Sequence, residues 1–283
     1  MIYERLSDHE NMTATEELIA DYLLTCDDLK HKSARQIATE VATAPSTVTR
    51  FVKKLGFSSY QRFIEAFEEE RLQRIKQQSI DPDYPFGSQD RNNIIAQRIG
   101  HLYKDIIDDV LHYMTHDRIS RVLSIMRKAD RYVLVSAGIQ RELAKTFEEK
   151  MLTIGKNVIV TDHAYQAFTI ASLSDVSTVF ILISYSGKTE QIIRIARYLK
   201  EHSIPCVALT RYGDYELSRW ADCVLYVSSN ESLYQNLGNY TMNVSTLLIL
   251  DILYTAIFNE DHFHNKQKRV ETSGFDYYRK QGE

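Results

Sequence analysis

From Arg131 onward five short apolar runs recur, "RYVLVSA", "NVIVT", "TVFILIS", "CVALT" and "CVLYVSS", and a stretch with helical spacing follows each of them. Runs this short and this rich in β-branched residues suit strands covered on both faces, and strands that alternate with helices pair in parallel. The expectation is an α/β region with a doubly wound five-stranded parallel sheet. Such sheets bind ligands in the crevice beyond the carboxyl ends of their strands, where the direction of winding reverses. At 283 residues, 44% of them hydrophobic, the chain has enough apolar surface for this core and a second, smaller one.

The boundary between the two lies in "SIDPDYPFGSQD", Ser79 to Asp90, where Pro82, Pro85 and Gly87 stand among polar residues between two helical patterns. That predicts an all-helical region at 1–77, a linker at 78–91 and the α/β region at 92–283. In the helical part, "TATEELIADYLL" carries Thr13 and Glu16 at capping-box spacing, with Leu18, Ile19, Tyr22 and Leu23 on one face. "SARQIATEVA" repeats the device with Ser33 and Gln36, and its stripe is Ile37, Ala38 and Val41.

After a break of three residues, "TAP", a third helix follows in "STVTRFVKKLGF". Val48, Phe51, Val52 and Leu55 occupy i, i+3, i+4 and i+7 and face a core, which leaves Ser46, Thr47, Thr49, Arg50, Lys53 and Lys54 on the outside. Gly56 suits a left-handed stop, and Phe57 can fold back over the last turn. Two helices joined by so short a break, the second with small hydroxyls at its start and cations along its exposed face, make a helix-turn-helix reader. From Lys30 to Arg62 seven cations face Glu40 alone, a net of +6 in a chain whose formal net charge is -4. That local excess suits a phosphate backbone, with Lys32, Ser46, Thr47, Thr49, Arg50, Lys53 and Lys54 as the expected contacts. A small bundle that docks another protein is the alternative that charge by itself leaves open. Ala44 stands at the cap before Pro45 and lacks the side-chain acceptor that is worth about 1 kcal/mol there.

In the second region, "TVFILIS" runs into Tyr185-Ser186-Gly187-Lys188-Thr189 and then into a helix that turns Ile192, Ile193, Ile195, Ala196 and Leu199 inward. Backbone amides at a helix start, with the hydroxyls of Ser184, Ser186 and Thr189 around them, are complementary to a phosphate. Lys188 adds a cation where the helix dipole opposes one unless an anion intervenes. Plain turn and cap chemistry is the other explanation for these residues. The "GKT" string is not a nucleotide-binding loop, because the glycine such a loop needs five residues earlier is Leu182.

The run Ile37-Ala38, Ser46-Thr47-Val48-Thr49-Arg50-Phe51-Val52-Lys53-Lys54-Leu55-Gly56-Phe57 and Tyr60 resembles the amino-terminal domain of RpiR-type (MurR/RpiR) transcriptional regulators. The Ser-x-Ser-Gly-x-Thr loop at Ser184 to Thr189 resembles the sugar isomerase (SIS) domain that those regulators carry at their carboxyl end. The resemblance implies a regulator of carbohydrate metabolism that binds a double-stranded DNA operator and a phosphorylated sugar effector and pairs with itself as a homodimer or tetramer. By motif, Ser184, Ser186 and Thr189 hold the phosphate, Gly187 allows close approach and Lys188 lies beside it. The first loop departs from the family's Gly-x-Gly-x-Ser, reading Ser136-Ala137-Gly138-Ile139-Gln140. Gly138 and Gln140, with Glu231 from the loop after the last strand, complete the expected ligand-contacting set.

An isomerase needs a positioned acid or base with a tuned pKa. The candidates near strand ends are His163 and Glu231, each a lone residue in a polar loop for which a plain surface position is the favoured reading. No spacing indicates a metal, no cofactor is expected, and the chain reads as a sensor and not an enzyme, with a sugar-phosphate isomerase or related enzyme and a ligand-free SIS interaction module as the alternatives. Cys26, Cys206 and Cys223 read as reduced, buried thiols of a cytoplasmic protein. The start is charged where a signal peptide is apolar, and "TLLILDILYTAIF" is shorter than a membrane span and contains Asp251, so no membrane partner is expected. That segment is a core helix or an oligomer face. The polar residues from "HNKQKR" onward are expected to fray.

Overall fold

A computed structural model describes residues 2–9, 12–26, 29–77, 80–213 and 216–272, with backbone alone at 72–77. The chain divides into two compact units. One comprises the residues up to 80 together with 86–99, and the other comprises 81–85 together with the residues from 100 onward.

The first unit is helical: α1 (Ile2–Ser7), α2 (Ala14–Thr25), a single 3-10 turn at Leu29–His31, α3 (Ala34–Glu40), α4 (Pro45–Lys54) and α5 (Tyr60–Gln77). Both capping boxes form as their spacing predicts: Thr13 and Ser33 each accept from the amide three residues on and receive the Glu16 or Gln36 side chain on their own amide. The core joins Ile19, Leu23, Ile37, Val48, Phe51, Val52, Phe63 and Phe67. The α2 stripe differs from the expectation at one place, since Leu18 is exposed and Ala20 is buried in its stead. The charged start of the chain also folds: Glu70 accepts from the amides of Ile2 and Tyr3, and Leu6 is fully buried. Helix α4 ends as its glycine predicts. Gly56 takes φ +90°, its amide bonds to the Lys53 carbonyl and the Phe57 amide to that of Val52, which is the Schellman pattern.

The second unit takes in most of α6 (Asn92–Tyr113), then α7 (His116–Met126), β1 (Arg131–Val135), α8 (Ile139–Leu152), β2 (Asn157–Thr161), α9 (Ala164–Ser172), β3 (Thr178–Ile183), α10 (Glu190–Glu201), β4 (Cys206–Arg211), α11 (Glu216–Trp220), β5 (Cys223–Val227), α12 (Tyr240–Glu260) and α13 (His262–Thr272). All five strands are parallel, in the order β2-β1-β3-β4-β5. Every residue of β3 is buried, as the continuous apolar run requires. On one face Phe147, Met151, Leu250 and Leu253 pack on Tyr132, Leu134 and Ile181. On the other, Ala167, Ala171, Ile192, Ile195 and Leu199 pack on Val133, Phe180 and Leu182. Cys206 and Cys223 lie in these cores, and burial raises both thiols above their ordinary value.

Two expectations about the end of the chain are corrected. Helix α12 extends well past its apolar segment, and its 21 residues are long and apolar enough to cross a membrane by length and composition. Its Ser245, Thr246, Ile249, Leu250 and Leu253 are instead buried against the sheet and α8, and Asp251 pairs with Lys150. It is a core helix. The "HNKQKR" segment is helical: it lies in α13, where buried Asn265 donates its side-chain amide to the Phe258 carbonyl and so satisfies the end of α12. The residues beyond Thr272 lie outside the described part.

Candidate phosphosugar and DNA sites

The strand order reverses between β1 and β3: β2 lies beyond β1 on one side, and β4 and β5 lie beyond β3 on the other. Successive crossovers therefore leave to opposite faces at this point, which opens a crevice between the loops after β1 and β3. Val135, the last residue of β1, lies opposite Leu182, so β3 runs one residue further and Ser184 follows it into the loop one step beyond Ser136.

After β3 the chain turns tightly. Gly187 takes φ +61°, its amide bonds to the Ser184 carbonyl at 3.1 Å, and the Lys188 amide to Ser186 Oγ at 3.2 Å. Thr189 stands at the N-cap of α10, but its side chain makes no capping bond. Its hydroxyl lies 2.8 Å from Ser184 Oγ, and Ser184 is buried. The positive end of a twelve-residue helix is thus left without the side-chain acceptor that its N-cap residue could provide. Ser184 and Thr189 stand together, Ser186 and Gly187 shape the turn, and Lys188 is exposed.

On the β1 side, Gly138 is the N-cap of α8 with φ +60° and ψ −137°. An added Cβ there would meet nothing within 4 Å, so the backbone conformation, not space, requires glycine. Gln140 is buried and donates its side-chain amide to Asn243 Oδ1 at 2.7 Å, on the first turn of α12. Glu231 overturns its reading as a surface residue, because it is 3% exposed. Burial raises its carboxyl above the ordinary value, against backbone amides at the start of α12 that lower it; one of these, Thr241 N–H, is 3.1 Å from Oε2. Several buried side-chain oxygens near these helix starts, those of Ser136, Gln140 Oε1, Glu231 Oε1 and Thr241, have no protein partner. His163 is exposed after β2, 3.5 Å from Asp162. It follows an edge strand opposite the one that Glu231 follows. No group of three or more metal-ligating side chains occurs among the described residues.

Tyr185, inside the loop, is a contact that motif reading passed over. Its hydroxyl donates to the Glu231 carbonyl at 2.8 Å, and its burial raises its pKa to about 12. Asp109 on α6 and Asn243 on α12 also reach this end of the sheet, and no local pattern in the sequence marks either.

In the helical unit, α4 presents Ser46, Arg50, Lys53 and Lys54 as exposed residues with Thr47 and Thr49 half-buried beside them. Ala44 is its N-cap and makes no side-chain bond, as its identity predicts. Two of the expected cations make ion pairs within this unit. Lys32 Nζ is 2.6 Å from Glu40 and 2.6 Å from Tyr22 Oη, contacts that raise its pKa and tie α2 to α3. Lys54 is 2.8 Å from Glu16 and lowers the pKa of that carboxyl. Arg50 and Lys53 form no ion pair among the described residues.

Residues 3–73 match the helix-turn-helix domain of the rpiR family, and residues 125–256 match the SIS domain. A DNA-reading helix pair joined to a sugar-isomerase fold defines a class of transcriptional regulator. The chain belongs to the RpiR-type members of that class. It is 23% identical over 265 residues to an HTH-type transcriptional regulator of Clostridium perfringens, covering 92% of this chain and 93% of that one. A Thermotoga maritima regulator is 25% identical over 255 residues, covering 89% and 90%. Among solved structures, the Vibrio vulnificus NanR protein complexed with ManNAc-6P aligns with a TM-score of 0.59 at 21% identity, covering 96% of this chain and 97% of that one.

Proposed function

We propose that this regulator senses a phosphorylated sugar at the crevice between β1 and β3 and that occupancy there alters its grip on DNA. The observation that carries the reading is the start of α10, where Ser184 and Thr189 face each other beside a helix end that Thr189 does not cap. A phosphate there accepts from amides and hydroxyls together. The partnerless oxygens of Gln140 and Glu231 suit the donor groups of a sugar, since a buried acceptor without a donor costs about 1–3 kcal/mol. Gly138, Gln140 and Glu231 thus read the sugar, while Ser184, Ser186, Gly187, Lys188 and Thr189 hold the phosphate. Ser46, Thr47, Thr49, Arg50 and Lys53 face the operator. A reader of two half-sites about one turn of DNA apart works as at least a dimer, and the chain acts in the cytoplasm, where the DNA is.

The test is binding of the full chain to DNA upstream of its own gene, at fixed salt, with a panel of sugar phosphates that includes ManNAc-6P. One phosphosugar changing DNA affinity while its unphosphorylated form does not supports the sensor. Specific DNA binding that no member of the panel alters, with no thermal stabilisation by any of them, refutes it. A second reading, a sugar-phosphate isomerase, draws on the raised pKa of Glu231, the kind of shift proton transfer uses. Turnover that Glu231→Gln abolishes would establish it.

A further inference from the structure

We propose that the loop Ser228–Leu237, between β5 and α12, is the coupling element that carries the state of the β3–α10 turn to the linker and to α6. This rests on the reading of that turn as an effector site. Five bonds define the route. Tyr185, one residue after Ser184, donates its hydroxyl to the Glu231 carbonyl at 2.8 Å. The next residue, Ser232, donates its amide to Asp83 Oδ1 at 2.6 Å, and the Leu237 amide bonds to the Asp83 carbonyl at 3.0 Å. Asp109 Oδ2 accepts from Ser228 Oγ and from Asn230 Nδ2, each at 2.8 Å.

Asp83 and Asp109 occupy special places in the chain. Residues 81–85 belong with the α/β unit, whereas the chain on both sides of them belongs with the helical unit. The remaining passage between the units falls at 99–100, inside α6, the helix that carries Asp109. Every passage of the chain between the units therefore adjoins a segment fastened to this one loop. The fastenings at Asp83 Oδ1 and at Asp109 use carboxylates, and charge-assisted bonds exceed neutral ones in strength. The same loop also carries Glu231 into the crevice. A ligand that engages Glu231 or displaces the Tyr185 hydroxyl shifts the carbonyl and amides between Glu231 and Ser232, and Asp83 follows. For this to regulate, the ligand must favour one arrangement of the loop over the other. Distance between sites is no obstacle when the intermediate is one element with two anchored ends.

Two arms on the full-length chain test the proposal. Tyr185→Phe removes the hydroxyl and keeps the ring, and needs no ligand. Exchange of the Ser232 and Leu237 amides, which bond Asp83, is expected to speed up about tenfold, the weight of one such bond. Exchange at those two amides equal to wild type overturns the route. In the second arm, Asp83→Ala and Asp109→Ala are assayed for binding of ManNAc-6P and the other sugar phosphates and for DNA affinity with and without them. Unchanged sugar-phosphate affinity with at least a tenfold smaller effect on DNA binding is expected; a full ligand response in both variants overturns the proposal. If no sugar phosphate stabilises the wild-type chain, the effector reading fails, and the Tyr185→Phe arm alone decides the coupling.

Discussion

The start of α4 offers a test of whether the recognition helix is deliberately left open. Substituting Ala44 with Ser supplies the missing N-cap acceptor, for which the general gain is about 0.5–2 kcal/mol. The local geometry places this case in the lower half of that range. Pro45 has no amide to satisfy, and the Thr47 amide already bonds to the Ala44 carbonyl at 2.9 Å, so Ser46 is the remaining first-turn donor that the cap can help. A gain of about 0.5–1 kcal/mol corresponds to a two- to five-fold slowing of exchange for the amides of the first turn. Native-state hydrogen exchange resolves this difference, with the amides of α2 as an internal control. Ala44→Asp should stabilise the helix at least as much through the dipole while placing a negative charge where the backbone of DNA approaches. The pair therefore separates the two roles: both variants stiffen α4, and Asp alone weakens DNA binding. Exchange at Ser46 and Thr47 that is unchanged in both variants would refute the idea that the helix start lacks a cap.

Lys53→Ala should weaken binding to all DNA sequences alike and reduce the slope of log K against log salt by about 1, whereas Arg50→Ala should relax sequence preference at a cost of about 1–3 kcal/mol if it reaches a base. Lys32→Ala should lower the melting temperature and leave the salt slope unchanged, because its ammonium is engaged with Glu40 and Tyr22. Glu231 makes a pH-dependent contribution whose sign is fixed. Its carboxyl is raised above 4.5, so the folded chain holds that proton more tightly, and stability falls as pH rises from 4.5 through the raised value. Urea unfolding at several pH values should show Glu231→Gln flattening that fall; an equal fall in the variant shows that the charge on Glu231 is not its source. Ser184→Ala combined with Thr189→Val should abolish stabilisation by sugar phosphates in a thermal-shift assay while the DNA affinity without ligand is kept.

The parts of the fold that sequence displays are those governed by neighbours along the chain. Capping boxes at Thr13 and Ser33, the stop at Gly56 and the apolar run of β3 are set within a few residues, and each forms where its spacing puts it. The turn at Ser184 to Thr189 belongs to the same category. Glu231 does not, because its burial depends on α12, which begins nine residues later and folds back over it. Lys32 and Lys54 look like free cations in a string, but the packing of α2 against α4 brings Glu16 to Lys54, and Lys32 folds back along α3 to Glu40 at its far end. Asp83 and Asp109 are invisible for the same reason, since their partners lie more than a hundred residues away in the chain. Leu18 fails for a geometric reason: a stripe on a helix allows two phases, and the core selected the one through Ala20.

The placement of the crevice between β1 and β3 has a consequence for how such a protein changes its signal. On the β3 side the proposed phosphate grip draws on backbone amides, one glycine and two small hydroxyls, in a turn that follows a strand buried along its whole length. On the β1 side the space around Gly138 is open, and Ile139 is exposed, while Gln140 is buried and tied to Asn243. On the reading proposed above, the requirement for charge is thus separated from an adjustable recognition of shape. A library confined to the exposed Ala137 and Ile139 should yield receptors for different sugars that share one phosphate requirement and fold as well as their parent.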